Sequence, residues 1–446
     1  MSISIMRVKR KCLDLIARIE QDGAYTHLVL QRVADSGELS PQEYPVLLQL
    51  VRGTLEQRGV IEAQLNQFLP KGLHSLPNEV QILLKLSAYQ IMFLDRVKKR
   101  DVVYEAVDLV KAGRYRGLAG LINAVLRKIE PDSKSADGRS SFDNTSNFPD
   151  WLIKRWNEQH GSNEVEKFCA VGGAQLPVYC RINNSRISAK ELKGILAQEQ
   201  VLAEEVDLSP NSLRLREIPA SVRITNLKSY QEGLFFIQDA SSTIVADIVA
   251  MDNPLKVRDL CAAPGGKACS IALSILSQGG EVHASDRAAK RVALIGDLAS
   301  RLRLKNIKTG RMELSEIVPH AGELFDSVLL DVPCSGFGTV GRKIDVRWSM
   351  SEIDLQGLQP VQSSLLRAAS RFVRPGGILV YSTCSIDCAE NEDVVDLFVA
   401  STDEFERVDL RETLDHEICT ERGYFRSWPH RHEMAGAFAA KLKRSL

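Results

Sequence analysis

Between Val257 and Ser270 the chain reads VRDLCAAPGGKACS. An apolar-rich run stops at Pro264, Gly265 and Gly266. From Lys267 to Leu276, small and apolar residues recur at helical spacing. Strand, tight glycine turn and helix make up the local shape of a nucleotide-binding βα unit. Glycine lets backbone approach a ligand closely, and the helix behind the turn aims its first amide groups at whatever sits there. Neither familiar phosphate loop fits. G-x-x-x-x-G-K-[ST] fails at Cys261 and again at Ala268, and G-x-G-x-x-G is absent.

The chain beyond this turn constrains the fold further. Strands are expected at Val257–Cys261, Glu281–Asp286, Ile307–Thr309, Ser327–Asp331 and Ile378–Thr383, with helices between them, notably Ala289–Arg303. The alternation predicts an α/β, doubly wound, mostly parallel sheet. Ligands bind such sheets beyond the carboxyl ends of the strands. Two cysteine-bearing polar turns fall at those ends: Asp331-Val332-Pro333-Cys334 within FDSVLLDVPCSGFGTV, and Ser382-Thr383-Cys384-Ser385 within PGGILVYSTCS. Asp286 ends the second strand, where an acidic residue accepts hydrogen bonds from ribose hydroxyls.

Cysteine usage and charge narrow the class. The nine cysteines are odd in number and contain no C-x-x-C pair. That argues against a disulfide framework and a Cys₄ zinc site, and no metal is expected. Reduced thiols in a cytosolic, cytoplasmic chain fit best. No apolar run reaches the length of a membrane span, and no apolar stretch lies behind the basic residues of Met1–Cys12, so neither membrane helix nor signal peptide is expected. Net charge is zero over 446 residues. Met1–Glu130 nevertheless holds 19 Lys+Arg against 14 Asp+Glu, a mild pointer to a local RNA surface.

CAAPGGK, D-x-P-C-S and T-C-S, in this order and each at a strand end, resemble the RNA 5-methylcytosine methyltransferase family. The apolar-periodic segments LLQLVRGTLEQ, ILLKLSAYQIMFLDRV and LAGLINAVLRKI resemble the NusB-like domain at the front of its RsmB/Sun-type subgroup, which acts on 16S rRNA. The resemblance implies four parts. Residues 1–130 form a NusB-like, all-helical RNA-binding domain with basic groups at Lys98–Arg100 and Arg114–Arg116. Residues 131–147 are a linker rich in Ser, Asp and Asn. Residues 148–234 form a small α+β RNA-binding subdomain, with strands at VYCRIN, SLRLREI and SVRITNL. Residues 235–446 form a Rossmann-like S-adenosylmethionine-dependent methyltransferase domain. A monomer is expected.

Carbon 5 of cytosine is too weak a nucleophile to take a methyl group. A thiolate adding to carbon 6 makes it enamine-like, which divides one hard step into easier ones. The thiolate is the attacking form. By resemblance Cys384 is the nucleophile, Cys334 assists release of the methylated base, and Asp331 hydrogen-bonds the cytosine edge. The same resemblance gives the S-adenosylmethionine site as Cys261, Ala262, Ala263, Pro264, Gly265, Gly266, Lys267, Asp286 and Asp331. Gln238, Asp239 and Ser241 are expected as a helix cap and pocket wall. RNA contacts are expected from Arg181, Asn183 and Arg186, and at the phosphate backbone from Arg342, Lys343, Arg347, Arg422, Arg426 and Arg431.

Two places depart from the family. An aspartate expected after the third strand falls on Met312, next to Glu313. The terminal D-G-F-F-x-A reads Ala435-Gly436-Ala437-Phe438 at its centre. Two other readings therefore stand beside the first: the same chemistry on tRNA, and a non-catalytic rRNA-binding assembly or antitermination-type factor.

Overall fold

The computed structural model describes residues 2–133, 142–171, 176–219, 222–313, 323–348 and 350–446. The chain divides into two compact units, Met1–Gln175 with Val340–Ser349, and Leu176–Thr339 with Met350–Leu446. The middle of the expected linker, residues 134–141, lies outside the described residues. Its end forms a short 3₁₀ turn, Asn144–Asn147.

The first unit is helical. Its helices include Ser2–Asp22, Glu43–Glu56, Asn78–Phe93, Lys99–Lys111 and Ala119–Leu126. Asn78–Phe93 is buried nearly all round, from Val80 to Met92, as a central helix requires. The one cation it buries, Lys85, is paired with Glu20 at 2.6 Å and Glu62 at 3.5 Å, which offsets the desolvation cost of an interior charge. The expected helix from Trp151 is broken at Gly161 into Asp150–His160 and Ser162–Val171. There Trp156 and Phe168 pack edge to face at 5.4 Å, beside Phe148. Val340–Ser349 is part of this unit. Ile344 lies in its core, and Thr26 N–H donates to Asp345 at 3.0 Å.

The second unit contains two sheets. The first comprises β1 (Val178–Ile182), β2 (Leu202–Glu205), β3 (Ser212–Glu217) and β4 (Phe235–Ile237). These strands are antiparallel in the order β2-β3-β1-β4, packed on helix Ala189–Gln198, which starts with a Ser188–Glu191 capping box. The strand expected at SVRITNL is instead a 3₁₀ turn over Ile224–Asn226, and Leu202–Glu205 is the edge strand. Leu202–Glu205 reads LAEE and lacks the apolar alternation that marks a half-buried strand.

The larger sheet holds β5 (Lys256–Leu260), β6 (Glu281–Asp286), β7 (Ile307–Arg311), β8 (Phe325–Asp331) and β9 (Val373–Thr383) as parallel neighbours in the order β7-β6-β5-β8-β9. It continues antiparallel through β12 (Ala437–Arg444) to β10 (Phe405–Val408), while β11 (Phe425–Ser427) pairs with β12. This is the doubly wound arrangement expected. Strand order reverses between β5 and β8, the switch point where such sheets take ligands. Val257, Leu329, Val380 and Ala439 fill one face, and Leu330, Tyr381, Phe438 and Leu442 the other. Among the described residues, no helix is long and apolar enough to cross a membrane.

Candidate active site

Register decides what meets at the carboxyl rim. Asp331 and Ser382 are paired across β8 and β9. Cys334 stands three residues beyond the first and Cys384 two beyond the second, so both cysteines enter neighbouring turns. Their sulfurs are 3.3 Å apart, and the Cys384 N–H lies 3.4 Å from the Cys334 Sγ. The hydrogen bond to Cys384, then burial, then the charges of Cys384 and Glu390 hold the Cys334 thiol well above the ordinary thiol range. Asp331 Oδ2 accepts from Lys267 Nζ at 2.7 Å, and Oδ1 from Ser382 Oγ at 2.7 Å. Burial penalises the Lys267 ammonium. The charge and hydrogen bond of Asp331 outweigh this and lift it above its usual value, with help from Cys384 and Asp259.

A second close approach fixes the cysteine loops. Gly338 N–H donates to the Cys384 carbonyl at 2.9 Å, and Gly436 N–H donates to the Gly338 carbonyl at 2.8 Å. A Cβ on Gly338 would fall 1.9 Å from the Gly436 oxygen, so this crossing admits no side chain. Gly436 of the altered terminal motif thus has a steric reason to be glycine. At Ala435, where the resemblance leads one to expect aspartate, the backbone N–H donates to Asp239 Oδ1 at 3.1 Å. Asp239 also accepts from Ser241 N and Oγ, the expected cap.

The CAAPGGK turn leaves β5 at Cys261, whose φ is +70°. Gly265 has φ +105° and lies against Ile295, where a Cβ would come within 3.0 Å of its Cα. Ala262, Ala263, Pro264, Gly266 and Lys267 line a cavity of about 220 Å³ together with Gln238, Asp239, Asp259, Cys261 and Asp331. The Cys261 thiol is pushed up to about 12 by burial and by the charges of Asp259, Asp331 and Asp286. It stays a thiol. Asp286, at the tip of β6, is buried, accepts from Ala288 N–H at 3.2 Å and pairs with Arg291 at 3.4 Å. Met312 places its thioether sulfur 3.2 Å from Arg258, and Glu313 beside it is half-buried.

Two residues of the site carry no motif in the sequence. Asp259 is fully buried, and neither carboxylate oxygen has a hydrogen-bond partner among the described residues. Burial, then Asp331, raises its carboxyl to about 8. The only signal for it is an acid inside the strand run VRDL. An unpaired buried acid on this cavity fits a cationic ligand, and S-adenosylmethionine carries both an ammonium and a sulfonium. The second is Glu390, fully buried behind the two cysteines.

Several expected RNA contacts are overturned. Arg181 and Asn183 are fully buried. Arg181 donates to the Ile182 carbonyl at 2.6 Å, and Asn183 to the Gly233 and Leu302 carbonyls at 2.8 and 3.0 Å. Both knit the chain internally instead of facing solvent. Arg347 is equally buried. It sits 4.9 Å over the Phe148 ring and donates to the Glu56 carbonyl at 2.9 Å. Arg422 pairs with Asp396, and Arg426 with Glu392 at 2.6 Å. Arg186 is exposed and donates to the Glu232 carbonyl. Arg342 is half-buried, and Lys343 and Arg431 are exposed.

Comparison with known proteins bears on the family and the fold. The sequence model described as 16S rRNA methyltransferase RsmB/F matches residues 247–443. The NusB family matches 6–131, and the Methyltr_RsmF/B-like, ferredoxin-like domain matches 148–223. A Bacillus subtilis (strain 168) protein named "Probable ribosomal RNA small subunit methyltransferase B" is 32% identical over 451 residues, spanning 98% of both chains. A Synechocystis sp. protein of the same name is 31% identical, over 98% of this chain and 99% of its own. The crystal structure of PH0851 superposes with a TM-score of 0.77 over 98% of each chain at 24% identity, a likeness of fold.

Proposed function

The chain belongs to the 16S rRNA methyltransferase RsmB/F family, and on that premise we propose that it methylates carbon 5 of a cytosine in small-subunit rRNA through a covalent bond from Cys384 to carbon 6. It is an S-adenosylmethionine-dependent RNA methyltransferase. The observation that carries the finer reading is the pair of sulfurs 3.3 Å apart beside the Lys267–Asp331 ion pair at one sheet rim.

S-adenosylmethionine supplies the electrophilic methyl group. In this reading Asp286 takes the ribose hydroxyls, while Asp259 and the Cys261–Lys267 turn take the amino-acid end. Cys384 Sγ adds to carbon 6, and Asp331, held by Lys267 and Ser382, steadies the ring edge as electrons move into it. Once carbon 5 bears its methyl, a base takes the carbon-5 proton, the C–H electron pair closes the C5–C6 double bond, and the C6–S pair leaves with the Cys384 sulfur as thiolate. Cys334, in contact with that sulfur, assists its departure. The target base leaves its stack, or comes from a single-stranded loop, to reach these groups.

Bisulfite mapping of rRNA from cells with and without the gene tests the proposal. One cytosine should lose protection in the deletion and regain it with the wild-type gene but not with Cys384→Ala. An unchanged map refutes it.

A further inference from the structure

Ser335 is next to Cys334 in the chain, and Ser385 next to Cys384. Both hydroxyls donate to the same oxygen, Oε2 of Glu390. The other oxygen accepts from Ser335 N–H at 2.8 Å and from Gln362 Nε2 at 3.0 Å. Gln362 Nε2 also reaches the Pro333 carbonyl at 3.1 Å. With four donors, the acceptor capacity of an ionised carboxylate is fully used. The two hydroxyls are 3.1 Å apart, and the carboxylate oxygen that both reach joins their loops. The backbone around Glu390 is pinned in turn. Tyr381 donates its hydroxyl to the Glu390 carbonyl at 2.6 Å, and Asn391 bonds both Thr383 Oγ1 and the Ser385 carbonyl.

We propose that Glu390 is a positioning residue for the two-cysteine chemistry: its buried carboxylate clamps the loops that carry Cys334 and Cys384 and sets the spacing of their sulfurs. The inference rests on the proposed roles of those two cysteines in methyl transfer. Geometry is half of the role and charge the other half. Glu390 bonds the residues next to both cysteines, and its charge adds to the hydrogen bond from Cys384, burial and the charge of Cys384 in raising the Cys334 thiol. A buried anion there disfavours a second anion nearby. The proposed role therefore includes an effect of charge: Glu390 disfavours a thiolate at Cys334 while Cys384 attacks.

The test uses the full-length protein. Alkylation by iodoacetamide at pH 8 is followed separately at Cys334 and Cys384 by peptide mass, alongside methyl transfer to rRNA. In Glu390→Gln, Cys334 should alkylate faster relative to Cys384 by about fivefold or more, because thiolate fraction sets the rate. Its kcat should fall by about thirtyfold. Ser385→Ala keeps the anion and removes one arm of the clamp. Its kcat should fall about fivefold with the alkylation ratio unchanged, and it carries the test if Glu390→Gln does not fold. A Glu390→Gln enzyme with wild-type kcat overturns the proposal. So does a lower kcat with an unchanged alkylation ratio, the behaviour of a merely structural residue, and so does a wild-type Ser385→Ala. Cys384→Ala is run in parallel. If it still transfers methyl groups, the two-cysteine reading fails. If it is inactive while Glu390→Gln matches wild type, only the role of Glu390 falls.

Discussion

The sulfurs of Cys334 and Cys384 stand 3.3 Å apart, each two or three residues past a pair of strand-end residues locked in register. Their nearness is a property of the sheet. A one-residue slip of β9 against β8 would turn Ser382 and Cys384 to the opposite face.

Removing either sulfur should give opposite results. Cys384→Ala should lower methyl transfer by about a thousandfold or more, as loss of a covalent nucleophile does. Cys334→Ala should instead trap protein joined to RNA, seen as a band that survives denaturing electrophoresis. A Cys334→Ala enzyme with full turnover and no adduct would contradict the assigned roles.

Lys267 should matter through Asp331. Their ion pair is half-buried, and its loss leaves Asp331 with the Ser382 hydroxyl as its remaining side-chain donor among the described residues. Lys267→Met should reduce kcat/KM about a hundredfold, more than any fall in thermal stability accounts for. Initial rates and a melting curve on the same preparation check both halves.

Asp259 should make the protein pH-sensitive. Its carboxyl is raised to about 8, so the folded state keeps a proton that the unfolded chain releases near pH 4. Between those values the folded state binds more protons, and stability contributed by this group falls as pH rises. The melting temperature of Asp259→Asn should decline less than that of wild type from pH 5 to pH 8. Parallel curves for the two proteins would refute the assignment.

Gly338→Ala should be severe. A methyl group 1.9 Å from the Gly436 carbonyl forces backbone apart and breaks the bond from Gly338 to Cys384. Unfolding free energy should drop by about 3 kcal/mol or more, with activity lost in the fraction that folds. Denaturant titration measures the first and methyl transfer the second.

Arg347 should behave as an interior residue. Arg347→Ala removes a donor from the half-buried Glu56 carbonyl and opens space beside Phe148. A loss of about 2–4 kcal/mol is expected. The salt dependence of RNA affinity should be unchanged, whereas loss of a phosphate contact would reduce its slope by about one.

These cases mark where the sequence is legible. The parallel sheet, the CAAPGGK turn and both cysteine turns can be read because period, glycine and strand ends are local signals. Arg181, Asn183 and Arg347 look like surface groups because composition does not reveal which polar residues find internal carbonyls. Asp259 and Glu390 are hidden for a related reason. An acid is ordinarily placed outside, and only tertiary neighbours show that one lacks partners and the other has four. Leu202–Glu205 is unreadable as a strand, since an edge strand needs little apolar alternation.

The return of residues 340–349 to the first unit has a bearing on biosynthesis. A ribosome extrudes residues 1–175 well before Ile344 and Arg347 exist, and Ile344 belongs inside that helical core. The amino-terminal body therefore waits, unfinished, while most of the catalytic half is translated, although domains ordinarily complete themselves in the order they emerge. No single cut of the gene yields both halves whole, and a fragment ending at residue 175 is born without the plug that closes it.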